Sequence, residues 1–452
     1  MINPKKIYIF FGLLCCFAIT LNCENETVGI TYSDTDGDGI FDSADNCANT
    51  PNPNQEDSDS DGIGDVCDDI SFSSLPCENG FAGVYPCNNY DLVGYLSLDD
   101  LSLGASGGVS ISGNDSWGWT DPADGKEYAL VGLSSHTAFV DMSDPDNLRL
   151  VGVLPTATVN SSWRDIKVYQ NHAFIVSEAQ NHGMQVFDLT RLRYVENDAI
   201  EFDADTHFTE FGSAHNIVIN EDSGYAYVLG TNRNGTYSGG PIFINIQNPT
   251  TPILEGGFGS GGYSHDAQVV IYNGPDSDYT GKEILIGSNE NEVVIADVTD
   301  KTNPITISTV GYDNIRYTHQ GWFTSDMRYF IVGDELDEVQ IGTNTRTLIF
   351  DFSDLDNPSM SFEYTAQNTS IDHNGYTVGN SYFLASYRAG MREIDISNIE
   401  SQSMTEIGFF DTYPENDNAN FNGVWNIYPY FESGHIVISD IEKGLFVVKK
   451  SN

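Results

Sequence analysis

Five hydrophobic phrases, each closing on an aspartate or asparagine and a turn, recur along most of the chain. They are AFVDMSDPDNLRLVGVL at 138–154, IFINIQNPTTPILEGGF at 242–258, VVIADVTDKTNPITISTVG at 293–311, TLIFDFSDLDNPSMSFEY at 347–364 and REIDISNIESQSMTEIGFF at 392–410; QVFDLTRLRYV at 185–195 is a weaker copy. Each reads as a strand, a turn and an outer strand. A second phrase precedes each one: SSWRDIKVYQNHAFIVSE, SAHNIVINEDSGYAYVLG, YSHDAQVVIY, YTHQGWFTSDMRYFIVGD, IDHNGYTVGNSYFLAS and FNGVWNIYPYFESGHIVISD. These read as two antiparallel strands joined by a turn. Such a unit cannot bury its apolar faces alone, so copies must stack on one another.

Four strands in a period of about fifty residues is the size of a β-propeller blade. Counting inner strands from Trp117, Trp163, His215, His265, His319, His373 and Asn422 predicts an all-β, seven-bladed propeller. The last copy stops after FVVKK without an outer strand, whereas DLVGYLSL at 91–98 is a strand in excess. The expectation is that this N-terminal strand completes the last blade and removes an exposed edge. A β-helix is the architectural alternative. Neither a GH and WD signature nor a double glycine of the kelch type recurs.

The formal net charge is -47, with no Lys or Arg between Lys6 and Lys126, so there is no basic stripe for nucleic acid. Aromatic and β-branched residues are plentiful, as in a folded β protein and unlike a disordered polyanion. Such an excess is expected to meet divalent cations or to keep an extracellular protein soluble.

Much of the charge concentrates before the repeats. DTDGDGIFDSAD at 34–45 fits the spacing of a calcium loop: Asp34, Asp36, Asp38, Asp42 and Asp45 at positions one, three, five, nine and twelve, Gly39 at the turn, and the Ile40 carbonyl at seven. DSDSDGIGDVCD at 57–68 repeats it with Asp57, Asp59, Asp61, Asp65 and Asp68, Gly62 and Ile63. No amphipathic helix flanks either loop, which argues against an EF-hand pair.

The chain opens MINPKK followed by the fifteen apolar residues IYIFFGLLCCFAITL, a secretory signal too short for a comfortable membrane span. With Cys15 and Cys16 inside that signal, Cys47, Cys67, Cys77 and Cys87 remain in the body, enough for two disulfides in any of three connectivities. Cys23, at the end of the signal, resembles the lipidated first residue of bacterial lipoproteins, although Asn22 stands where the lipobox has a small residue. A cleaved signal with a free Cys23 is the alternative.

DSADNCANTPNPNQEDSDSDGIGDVCDD, within residues 34–69, resembles the thrombospondin type 3 repeat family. That resemblance implies a chain wrapped around calcium ions, with a cysteine bridge that suggests Cys47 with Cys67. From about Cys77 onward, CENGFAGVYPCNNYDLVGYLSL, WGWTDPADGKEYALVGLSSHTAFVDMSDP and RYTHQGWFTSDMRYFIVGDELDE resemble the choice-of-anchor B family of exported bacterial proteins, whose repeats are related to LVIVD repeats. The resemblance implies a surface-anchored propeller without an assigned activity. As the chain ends at Asn452 directly after the last strand, Cys23 is the expected anchor. The expected organisation is a signal at 1–22, a linker at 23–33, calcium repeats at 34–69, a Cys-containing connector at 70–89 and the propeller at 90–452.

Aligning the repeats puts His215, His265, His319 and His373 in one column at the start of consecutive inner strands, which line a propeller's channel. Asn216, Asp266, Gln320 and Asn374 follow them, and loops between second and third strands add Glu178, Glu290, Asp334, Glu335 and Arg388. Imidazole with carboxylate is a ligand set for Zn²⁺, Fe²⁺ or Mn²⁺ and also a general acid and base set. Equally, a repeated His can be a brace to the next blade. No nucleophile elbow, phosphate loop or dinucleotide fingerprint occurs. The leading expectation is therefore an exported, calcium-binding module with a surface ligand or protein as partner, touching membrane only through a lipid. The alternative is a metal-dependent hydrolase or lyase at the histidine-lined mouth.

Overall fold

The computed structural model describes residues 33–42, 44–55, 64, 74–103 and 111–451. The signal, Cys23, Cys67 and all of the second calcium loop from Asp57 to Asp68 except Gly64 lie outside the described residues. The chain divides into two compact units, one holding residues 33–55 and the other residues 74–451. Among the described residues no helix is long and apolar enough to cross a membrane.

The larger unit is a seven-bladed β-propeller. Its inner strands are Gly113–Thr120, Arg164–Tyr169, Asn216–Asn220, Asp266–Ile271, Thr318–Phe323, Gly375–Val378 and Val424–Tyr428. Blade 7 takes its fourth strand from the N-terminal side: Tyr90–Leu96 pairs antiparallel with Gly444–Lys450, from Tyr90↔Lys450 to Leu96↔Leu445. The closure expected from DLVGYLSL is thus made.

The aspartate that ends each recurring phrase has a local cause. Asp141, Asp188, Asn245, Asp297, Asp351 and Asp395 close the third strands of blades 1 to 6, and each side chain accepts a hydrogen bond from the backbone N–H two residues on, at 2.8–3.0 Å. This Asx turn bends the chain out toward the fourth strand. A register shift follows in the pairing of third and fourth strands in blades 1, 3, 4, 5, 6 and 7; such a bulge increases twist, which a radial sheet requires.

Middle strands are covered on both faces by neighbouring blades, and therefore read as nearly continuous apolar runs such as EILIGS and YFIVGD, every residue buried. The core is a series of inter-blade seams. Phe139 of blade 1 stacks on Phe187 of blade 2 at 4.7 Å between centroids, and Phe330 stacks on Phe352 at 5.5 Å in the seam between blades 4 and 5.

Three local expectations are corrected. In blade 2 the stretch after QVFD does not run on into an outer strand: Leu189–Tyr194 is a 3-10 helix, and the fourth strand is Thr206–Phe208. The inner strands of blades 1, 2 and 7 align otherwise than read off Trp117, Trp163 and Asn422: the residues level with the histidines are Asn114, Arg164 and Trp425. Part of the connector is itself sheet: Phe81–Ala82 and Tyr85–Asn88 form a hairpin on the outer edge of blade 6, closed by a Cys77–Cys87 disulfide.

Candidate functional site

In the smaller unit, carboxylate oxygens of Asp34, Asp36 and Asp38 lie within 4.8 Å of one another. The loop is shaped by its own carboxylates: Asp34 accepts from the N–H of Gly37 and Gly39 at 2.8 and 3.2 Å, and Asp38 from that of Ile40 at 2.8 Å. Gly39 has φ +100°, a conformation closed to most side chains. Asp42 turns to the N–H and hydroxyl of Thr35 at 2.7 and 2.8 Å, and these bonds, after one from Ser33, hold its carboxyl below the usual range. Asp45 accepts from the Cys47 N–H and the Gln55 amide, both at 2.8 Å. One oxygen each of Asp36 and Asp45 is buried with no partner. Three carboxylates converging on one point, with one oxygen of Asp36 left without a partner, fit Ca²⁺. Cys47 is disulfide-bonded.

In the propeller, the histidine column stands at one mouth of the channel. The four imidazoles form an arc, with ring centroids 4.2 Å apart from His215 to His265, 4.4 Å from His265 to His319 and 4.4 Å from His319 to His373. The arc borders a cavity of about 580 Å³, with Trp163, Tyr263, Tyr317, Tyr387 and Trp425 in its walls.

Position in the column follows from a polar tier one residue further along each strand. Asp115 accepts from the Ile166 N–H at 3.0 Å and Asp165 from the Ile217 N–H at 2.7 Å. Gln320 accepts from the Gly375 N–H at 3.0 Å, and Asn374 donates to Asn426 at 3.2 Å. Inner strands diverge around the axis and cannot pair with each other, so these side chains satisfy the free edge of the neighbouring strand. Lys167 pairs with Asp165 at 2.5 Å and Asp115 at 3.5 Å, and the channel narrows here to about 20 Å³. On this register the residue equivalent to histidine in blades 1, 2 and 7 is Asn114, Arg164 and Trp425. Trp117 belongs instead to a second pocket of about 370 Å³ at the far end, with Trp322, Tyr428 and Tyr430.

Each imidazole has a different environment. His215 Nδ1 meets Glu178 at 2.7 Å; burial pulls its pKa down, but the bond to Glu178 and that residue's charge outweigh it, and the pKa is raised. His265 Nδ1 donates to the His319 carbonyl at 3.1 Å, and His373 Nδ1 to the Trp425 carbonyl at 2.5 Å. His319 Nδ1 is aligned with the His373 carbonyl but makes no hydrogen bond. The bonds of His265 and His373 are braces to the next blade. Burial holds His265 and His319 well below the usual range and His373 at about 3, so all three are neutral. Their Nε2 atoms remain for other work.

Glu335 reaches the arc from the loop of blade 5, with Oε2 3.8 Å from His319 Nε2 and Oε1 3.7 Å from His373 Nε2. Tyr387 donates to Oε1 at 3.0 Å, and burial pushes the carboxyl up to about 7. The other loop residues are engaged elsewhere. Glu290 pairs with Arg233 at 2.6 Å, Asp334 accepts from Tyr312 and the N–H groups of Arg316 and Tyr317, and Arg388 bonds Asn416 and Asn422. The tyrosines of the mouth were overlooked in the sequence, although Tyr263 and Tyr317 stand two residues before His265 and His319.

Arg164 is fully buried and donates to the Leu133 carbonyl at 3.1 Å and to His182 Nε2 at 3.4 Å. His182 Nδ1 bonds the Gly183 carbonyl at 3.0 Å. Burial, then the charge of Arg164, holds His182 at about 4. The folded-state value lies below the unfolded one, so between about pH 6.5 and 4 the unfolded chain binds the extra proton and stability falls as pH falls. Relative to His182→Gln, the protein is expected to lose up to roughly 1.4 kcal/mol per pH unit across that window. Denaturant midpoints at pH 7 and pH 5 check this; equal shifts in the two proteins would exclude it.

Residues 32–55 match the thrombospondin type 3 repeat family. No curated protein matches the chain. Similar solved structures include the β-propeller domain of Cps50 (Swd1) from Myceliophteria thermophila, at 8% identity and TM-score 0.47, covering 72% of this chain and 94% of that one. The C-terminal WD40 domain of Sif2 is 10% identical with TM-score 0.47, covering 81% and 92%. A functionally unknown protein from Desulfotomaculum acetoxidans is 11% identical with TM-score 0.46, covering 74% and 97%.

Proposed function

We propose that this is an exported cell-surface protein of the choice-of-anchor B kind, held by a lipid on Cys23 and stiffened by calcium near its N-terminus, whose propeller binds a ligand at the histidine-lined mouth. The observation that carries the reading is that mouth: a cavity of about 580 Å³ walled by aromatic rings, four imidazoles and two carboxylates, with Trp163 45% exposed at its rim. Largely preformed concave sites with a few convergent polar groups are where small molecules and chain ends bind. The aromatic rings supply contact area and the imidazole Nε2 atoms supply direction.

A panel of cell-surface glycans and peptides, tested on the full chain by tryptophan fluorescence and calorimetry, is expected to yield a ligand whose affinity falls at least roughly tenfold in Trp163→Ala or Tyr263→Ala. Undiminished binding in both variants would move the site away from this mouth. The hydrolase or lyase reading is favoured by one observation, the placing of Glu335 between two neutral imidazoles; conversion of a bound ligand to product in the same assay is the result that would establish it.

A further inference from the structure

The polar atoms of Glu335, His319 and His373 are too far apart for hydrogen bonds and too close to ignore one another. Separations of 3.7 and 3.8 Å between the carboxylate oxygens and the two Nε2 atoms exceed hydrogen-bond contact. They are close to the spacing of ligand atoms that share one ion, since metal–ligand bonds of about 2.0–2.2 Å put neighbouring ligands roughly 3–3.5 Å apart. All three ligand atoms lie within 4.8 Å of one another.

The supporting groups are those a metal centre needs. His373 gives its Nδ1 proton to the Trp425 carbonyl, which fixes the tautomer and leaves the Nε2 lone pair facing Glu335. Tyr387 orients the carboxylate by donating to one oxygen. No Lys or Arg among the described residues pairs with Glu335; its carboxylate oxygens lie within 4 Å of the two neutral imidazoles, and His215 and Asp334 act on it only through their charge. A carboxylate set beside two imidazole nitrogens is left without a direct cationic partner, and a bound cation satisfies all three groups together. The other two histidines of the arc are placed differently: His215 is drawn off by Glu178, and His265 is one ring removed from Glu335.

We propose that His319, His373 and Glu335 bind one divalent transition metal of the Zn²⁺, Fe²⁺ or Mn²⁺ class, with its open coordination positions facing the cavity. Two imidazoles and one carboxylate are borderline donors that suit these ions better than Ca²⁺. The ion deepens the reading of this mouth as a binding site, and rests on it, by giving an incoming carboxylate, hydroxamate or hydroxyl group a direct ligand position.

The test uses the full chain, stripped with chelator and returned to millimolar Ca²⁺, so that the N-terminal acidic loops are occupied before zinc is added. About one equivalent of Zn²⁺ is expected to bind, and Glu335→Gln and His373→Gln are each expected to weaken it at least tenfold, while His215→Gln leaves the stoichiometry unchanged. X-ray absorption of the zinc-loaded wild-type protein needs no variant to fold, and is expected to show imidazole scattering; an all-oxygen shell overturns the proposal, as does full zinc affinity in both variants. Repeating the ligand panel with and without zinc separates the two readings. Ligand binding at the mouth without any zinc uptake defeats the metal and leaves the binding module, whereas zinc uptake with no ligand defeats the module and leaves the metal.

Discussion

Replacing the seven residues Tyr90–Leu96 by a Gly/Ser stretch of the same length is expected to abolish the cooperative melt of the propeller. Without that strand blade 7 keeps only Val424–Tyr428, His435–Asp440 and Gly444–Lys450. The outer edge of Gly444–Lys450 then presents unpaired backbone groups. Tyr90 and Leu92 are each 1% exposed, and burial of such side chains is worth roughly 1.5–3 kcal/mol apiece. Tyr90 also donates to Glu393 at 2.7 Å. With ladder bonds at about 1 kcal/mol each, the strand contributes on the order of 10 kcal/mol, comparable to the whole stability of a domain. Calorimetry and light scattering would report a broad, low transition with aggregation. A single sharp melt within a few degrees of wild type would show that the ring does not depend on this strand.

The graded control is Leu92→Ala, for which roughly 2–5 kcal/mol is expected. Its loss should leave a cooperative but shifted transition, because the ladder from Tyr90 to Leu96 survives. Full replacement therefore tests closure, and the point substitution tests packing.

How much of this was legible in the sequence depends on the range of the interaction. Asx turns are local, so Asp141, Asp188, Asn245, Asp297, Asp351 and Asp395 announce the third strands of blades 1 to 6 and allow those blades to be counted. The doubly covered middle strands announce themselves by composition. The inner strands of blades 1 and 7 are less legible because neither carries a histidine to mark the column, and Trp117 looks equivalent to one only until the pairing of Gly113 and Ser116 with the next strand is known. In blade 2, LTRLRY has the apolar content of a strand, but the cap at Asp188 turns it into a 3-10 helix.

The histidine column was legible for the same reason as the blades, since repetition places equivalent residues around one axis. Its chemistry was not. Glu335, Tyr387 and Trp425 lie on three consecutive blades, and only the stacking of neighbouring blades brings them to the imidazoles they serve. The structure makes brace and proposed ligand compatible. In His373 the Nδ1 face is the brace, given to a backbone carbonyl, and this same bond frees Nε2 toward the cavity. The two nitrogens of one residue thus have separate surroundings, a carbonyl for Nδ1 and the cavity for Nε2.

Chelation of calcium is expected to unfold the N-terminal unit while the propeller melt stays in place. Among the described residues from 33 to 55, Cys47 and Asn52 are the only buried ones, so no apolar core can hold the loop. Its order comes from carboxylates bonded to backbone N–H groups, with Asp34, Asp36 and Asp38 gathered within 4.8 Å. Like charges at that spacing repel by about 1 kcal/mol per pair even in water, and the cost reverses sign when a divalent cation sits between them. Folding and metal binding are then one equilibrium. In hydrogen exchange on the full chain, amides of residues 33–55 are expected to lose protection in chelator and regain it at roughly 0.1–1 mM Ca²⁺, the range of extracellular modules. Asp36→Ala should raise that concentration at least tenfold, because one oxygen of Asp36 is buried with no other partner. Cys47 is cross-linked, so the bridge limits how far the calcium-free chain opens without supplying the missing core. Protection that persists in chelator would mean that hydrogen bonds from Asp34, Asp38 and Asp42 suffice to fold this unit alone.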